Sequence, residues 1–191
     1  MTKARLEAFS DGVFAIIITI MVLELRPPEG SDSVSLMPLL PVFVSYALSF
    51  VFLGIYWSNH HHMLQAVRHV NGRVLWANLH LLFWLSLIPF TTAWMGGQYF
   101  ASTPVSLYGV VLLASAIAYY ILSRSLLHLH GRESTLGEAL GGDFKGKISI
   151  FIYIVSIILA KFNSFAAGGL YVLVAAMWFV PDKRFEKALM K

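Results

Sequence analysis

The chain has 191 residues, 58% of them hydrophobic and only 13% charged, with a mean hydropathy of +0.71. Apolar runs recur from one end to the other, which excludes an ordinary soluble domain. A net charge of +4 and a pI near 9.4 invite nucleic acid as a partner, but the basic residues fall in short connecting stretches, as membrane topology demands, rather than on one face.

The first apolar segment covers about 6–25 and stops at Pro27-Pro28. Lys3 and Arg5 ahead of it imitate a signal peptide. Asp11 interrupts the run, however, and Glu24-Leu25-Arg26-Pro27-Pro28 offers no small-residue cleavage site, so the segment reads as a retained span. A second span is expected over 38–67, opening at Pro38 or Pro41, residues tolerated in a first helical turn. A tight basic turn, Arg68 to Arg73, leads to a third over 74–94, with a kink at Pro89. An uncharged loop, Met95 to Thr103, precedes a fourth over 104–127. The polar stretch His128 to Lys147 reads as a plain connector. Two final spans, 145–162 and 164–181, reach full length only if Lys145, Lys147 and Lys161 snorkel; a re-entrant hairpin is the alternative. No internal repeat or low-complexity tract interrupts residues 1–191, which form a single unit.

Orientation follows from charge. Six spans place Lys3, Arg5, Arg68, Arg73, Arg124, Arg132, Lys145, Lys147, Lys183, Arg184, Lys187 and Lys191 on one side and only Arg26 and Lys161 on the other. The expected fold is therefore an all-α membrane protein of six transmembrane helices with both termini inside.

The first span is the unusual one, since its first half holds Arg5, Ser10 and Asp11, and ionisable groups in a spanning helix mark a function or a partner. At about 100° per residue, Gly12, Ile16, Thr19 and Leu23 fall in one stripe with Ile20 at its edge, while Ser10 and Asp11 point away. The pattern suits a narrow, mostly apolar conduit braced from behind; it also suits an ordinary packed helix. The topology brings Trp57, Asn59 and His60 to His62 on the second span, and Trp76, Asn78 and His80 on the third, to the depth of Arg5, Ser10 and Asp11. Polar groups in hydrocarbon must pair with one another, so a network fastening the first span to the second and third is expected. Asp11 is assigned to Arg5 or a histidine, His60 or His61, as a structural lock. Adjacent histidines on a helix point about 100° apart, so His60-His61-His62 is not read as a metal site. The lack of cysteine removes disulfides and thiolate metal sites as well, and no cofactor is expected.

Arg5-x3-Phe9-Ser10-Asp11, directly ahead of Gly12-Val13-Phe14-Ala15-Ile16, resembles the R-x3-F-S-D signature of the transmembrane protein 175 family, the endolysosomal potassium channel and its bacterial relatives. The aromatic-histidine stretch of the second span, and Asn78-x-His80 followed by Leu87-Ile88-Pro89-Phe90 in the third, extend the likeness along the chain. The animal protein resembles two such units in one chain; this chain holds one, as bacterial members do. The resemblance implies a pore lined by the first helix, built from four subunits. Its constriction falls at Ile16, with further rings at Ile20 and Leu23, and a hydroxyl tied to ion selectivity at Thr19. No Thr-Val-Gly-Tyr-Gly loop is present to form a carbonyl-lined filter. Glu24 is placed at the outer mouth. Arg5, Phe9, Ser10, Asp11, His60, His61, Trp76 and Asn78 form the expected signature network. The function expected is a potassium-selective, leak-like channel in a bacterial plasma membrane, with potassium, lipid and copies of itself as partners. A proton-coupled transporter using Asp11 and the histidines of the second and third spans is the alternative. No nucleophile–base pair suggests an enzyme.

Overall fold

The computed structural model describes residues 2–131, 133–140 and 144–179. Arg132, Lys183, Arg184, Lys187 and Lys191, placed above on the basic side, lie outside the described residues, as do residues 141–143 of the long connector and the end of the 164–181 span.

Helix α1 is Lys3–Leu23; Thr2 Oγ1 caps it by accepting from Arg5 N at 3.4 Å. After Pro27-Pro28 the carboxylate of Asp32 accepts from both the amide and the hydroxyl of Ser35, which opens a 3-10 helix, Ser33–Leu39. Pro38 lies within that helix, and α2, Leu40–Gln65, begins with Pro41 in its first turn. Asn71 Oδ1 accepts from Val74 N at 3.0 Å and starts α3, Gly72–Ser86.

The expected kink at Pro89 is a break centred on Leu87, with a new helix, α4 (Ile88–Gly97), starting beyond it. Proline has no amide hydrogen to continue the ladder, and its ring disfavours the preceding helical turn. The segment expected as a loop from Met95 is helical through Gly97, because Tyr99 and Phe100 complete the turn in the left-handed region (φ 49° and 58°). Phe100 N donates to Met95 O at 3.0 Å there. The connector is therefore four residues, 98–101, before α5, Ser102–His130. A single turn and a half, α6 (Thr135–Leu140), leads to α7 (Phe144–Leu159) and α8 (Ser164–Phe179).

Among the described residues, four stretches are long and apolar enough to cross a membrane: Lys3–Leu23, Ser33–Gln65, Gly72–Gly97 and Ser102–His130. Helices α7 and α8 have 16 residues each, a rise of about 24 Å against a hydrocarbon core of about 30 Å. The bundle is built by α3 on α5, α5 on α7, α2 on α4 and α7 on α8. At Gly109 a Cβ would lie 2.0 Å from the Tyr171 hydroxyl, so glycine is what lets α8 approach α5 there. Helix α1 packs on α2, α3 and α4 along one side of this bundle.

Candidate functional site on the first helix

Helix α1 is divided lengthwise. Leu6, Ser10, Phe14, Ile17 and Met21 are buried, a spacing of three and four that puts one continuous stripe against the bundle. The opposite half is exposed: Arg5, Phe9, Gly12, Ile16, Thr19, Ile20 and Leu23 all lie on it. Ile16 is 58% exposed, Ile20 44% and Leu23 75%. The Thr19 hydroxyl donates to Ala15 O at 2.9 Å and shares Ile16 O at 3.0 Å. Its proton is thus committed to its own helix, which leaves its lone pairs facing outward.

Behind this face runs a buried polar chain across three helices. Ser10 Oγ donates to Leu6 O at 2.8 Å and accepts from Asn78 Nδ2 at 3.0 Å. Asn78 Oδ1 is then left to accept, and His60 Nε2 lies 2.7 Å away. That pairing fixes the proton of His60 on Nε2. Ser10, His60 and Asn78 are each no more than 1% exposed, and Phe14 packs its ring against the imidazole at 5.6 Å. An unpaired polar group in hydrocarbon is costly, so this chain fixes the rotation of α1 against α2 and α3 as well as its position.

Asp11 departs from the sequence reading. The sequence assigns it to Arg5 or a histidine and turns it toward the protein. In the structure it is exposed at the edge of the open half, and its Oδ1 accepts from Trp57 Nε1 at 3.0 Å. Arg5 makes no ion pair with it; the ion pair present at this end of α1 is Lys3 with Glu7 at 3.7 Å. His61 stacks on Trp57 and meets Gln65 Nε2 at 2.8 Å rather than joining the buried chain. Trp76 is 75% exposed and stands apart from the network, and Phe9 is exposed too. His80 accepts from Trp84 Nε1 at 2.9 Å on its own helix. Trp57 was legible at the right depth but not as the partner of Asp11, because the choice among neighbours depends on helix rotation.

An open groove of ≈ 690 Å³ runs between α1 and α4. Ile16, Ile20 and Glu24 form one wall; Pro89, Phe90 and Trp94 form the other, the last two rings stacked at 6.3 Å. Residues that sequence reasoning missed lie on the far side of α4. Ser49, Thr92 and Tyr108 join hydroxyls in the core, with Ser49 Oγ 2.7 Å from Thr92 Oγ1 and 2.9 Å from Tyr108 OH. Isolated hydroxyls within apolar runs were the available signal, and nothing in the chain pairs one with another. Among the described residues, no three histidine or acidic side chains converge as metal ligands.

Comparison with known proteins places this geometry in context. A family model described as "Endosomal/lysosomal potassium channel TMEM175" matches residues 5–89. A protein of Chryseobacterium sp. (strain P1-3) named a potassium channel is 57% identical over 189 residues, 99% of this chain and 98% of its own length. The Rattus norvegicus protein named endosomal/lysosomal proton channel TMEM175 is 30% identical over 173 residues, covering 80% of this chain; the match spans 33% of that longer protein. Among solved structures, the crystal structure of a lysosomal potassium-selective channel TMEM175 homolog from Chamaesiphon minutus matches with a TM-score of 0.80 at 27% identity, over 94% of this chain and 97% of that one.

Proposed function

The chain belongs to the TMEM175 family, and from that premise we propose that it forms a potassium-selective, leak-like cation channel whose pore is enclosed by α1 from four copies. The single observation that carries the reading is the composition of the exposed half of α1. Lipid alone would account for Ile16, Ile20 and Leu23, but the same half bears Thr19, Gly12 and Arg5, with Asp11 at its edge. Ionisable groups in a spanning helix face other subunits or water rather than hydrocarbon. An assembly that turns this half inward satisfies both sets.

In that assembly Ile16 forms the narrowest ring and Ile20 and Leu23 continue it outward. A ring of aliphatic side chains stops ions because water leaves it and an ion does not shed its hydration shell there cheaply. Conduction needs only a small spreading of the helices. The outward lone pairs of Thr19 then offer oxygens to a partly dehydrated potassium ion in place of a carbonyl-lined filter, and Glu24 raises the local cation concentration at the outer end. The Ser10–Asn78–His60 chain and the Asp11–Trp57 bond hold α1 so that this half stays inward.

The same reading makes α7 and α8 the fifth and sixth spans. Both termini face the cytoplasm, the side that the positive-inside imbalance favours, and the membrane assigned in this reading is a bacterial plasma membrane. The test is potassium flux into proteoliposomes, wild type beside Ile16→Asn, with sodium or N-methylglucamine as replacement cation. Flux that is potassium-selective and rises in the variant supports the channel; unchanged flux removes Ile16 from the pore.

One observation favours a second reading, proton transport through Asp11 and the histidines of α2 and α3. Asp11 is exposed rather than sealed in the bundle, and animal relatives are named proton channels. Acidification of vesicles under a proton gradient, lost in Asp11→Asn with potassium flux intact, separates the two.

A further inference from the structure

Helix α4 carries two different faces at one level. Phe90 and Trp94 look into the groove beside Ile16 and Ile20, while Thr92, 5% exposed, points the opposite way into the core. Thr92 Oγ1 donates to Ile88 O at 2.7 Å. With its proton committed, it accepts from Ser49 Oγ at 2.7 Å on α2, and Ser49 in turn accepts from Tyr108 OH at 2.9 Å on α5. The donors and acceptors therefore run one way, from Tyr108 through Ser49 and Thr92 to the carbonyl of Ile88. All three hydroxyls are buried.

The chain ends on the first residue of α4, directly after the break at Leu87. Leu87 keeps right-handed helical dihedrals (φ −86°, ψ −10°), so α4 follows α3 through one weakened turn, and contacts on its other sides help set its angle. One turn beyond Thr92, Gly96 leaves no room: a Cβ there would lie 2.7 Å from Val42 Cα and 2.3 Å from Ser45 Oγ. Helix α4 is thus tied at Thr92 and pressed against α2 at Gly96, with its aromatic face held toward α1.

We propose that Thr92, Ser49 and Tyr108 are positioning residues for conduction: their hydroxyl chain sets α4 as the wall that flanks α1 across the groove and so keeps the Ile16 and Ile20 rings closed. The proposal rests on the reading of α1 as the pore helix. When the chain is cut, α4 swings at the Leu87 break, α1 loses its support, and the constriction wets more often.

The experiment is potassium flux per folded oligomer for Thr92→Val, Thr92→Ser, Tyr108→Phe and Ile16→Asn, with Thr92→Val also made in the Ile16→Asn background. Loss of one hydrogen bond of ordinary strength shifts the closed–open balance by roughly 2- to 10-fold. Thr92→Val raises basal flux by that factor, Thr92→Ser restores wild-type flux, and Thr92→Val adds nothing once Ile16→Asn has already wetted the ring. A general leak from loosened packing would add to Ile16→Asn and would not be rescued by serine; either result overturns the proposal. If Thr92→Val does not assemble, Tyr108→Phe carries the test, because it removes only the terminal donor. A rise supports the proposal and wild-type flux overturns it. If Ile16→Asn leaves flux unchanged, the pore reading and this inference fall together. If Ile16→Asn raises flux while Thr92→Val and Tyr108→Phe are silent, only the inference falls.

Discussion

Asn78 is the hinge of the polar chain behind α1, and its replacement by leucine is the most informative perturbation of the fold. The side chain is fully buried; its Nδ2 serves Ser10 and its Oδ1 receives His60. Asn78→Leu keeps the volume close and removes both bonds. Ser10 loses an incoming donor but still donates to Leu6 O, a loss of about 0.6–1 kcal/mol in a membrane setting. His60 fares worse, since its Nε2–H is left buried without an acceptor at a cost of about 1–3 kcal/mol. The single variant is therefore destabilised by about 2–4 kcal/mol. His60→Leu alone orphans the Asn78 carbonyl and costs a similar amount. Asn78→Leu with His60→Leu leaves neither group stranded, so the double variant costs less than the sum of the singles by about 1–2 kcal/mol. Reversible unfolding in mixed detergent, followed by tryptophan fluorescence, measures all four corners of the cycle. Strict additivity would refute the bond between His60 and Asn78 and with it the stated reason for the rotation of α1.

Two further outcomes follow from the same geometry. Trp57→Phe removes the donor to Asp11 while keeping most of the ring, and it reduces the yield of assembled oligomer on size exclusion more than it alters ion selectivity. A change in selectivity with normal assembly would move Asp11 from a structural to a conducting role. Thr19→Val deletes the outward oxygen and lowers the potassium-to-sodium permeability ratio in reversal-potential measurements, whereas Thr19→Ser keeps it. Equal ratios in both variants would exclude the hydroxyl from selectivity.

Much of α1 was legible in advance because helical periodicity alone sorts its residues into halves. The buried set Leu6, Ser10, Phe14, Ile17 and Met21 is the complement of the stripe read from sequence. Depth was legible too: Ser10, His60 and Asn78 lie at one level because alternating spans return to the same side of a membrane. Which partner each group takes was not. Asp11 meets Trp57 rather than Arg5, and His61 meets Gln65, since rotations of tens of degrees decide such contacts and periodicity carries no relative phase between helices. The division between α3 and α4 was visible as Pro89, since a proline weakens the helical turn just before it, and the irregular residue is Leu87. The Tyr108–Ser49–Thr92 chain was invisible for the same reason as the Asp11 contact: it joins three helices whose mutual registers are set only by packing.

In this reading the exposed half of α1 lines a pore closed at Ile16. Potassium flux in proteoliposomes loaded with assembled wild-type protein or Ile16→Asn tests it most directly. Potassium-selective flux increases in the variant, as a polar ring holds water through the constriction. Equal flux in the two proteins, from oligomers of equal quality, would contradict it.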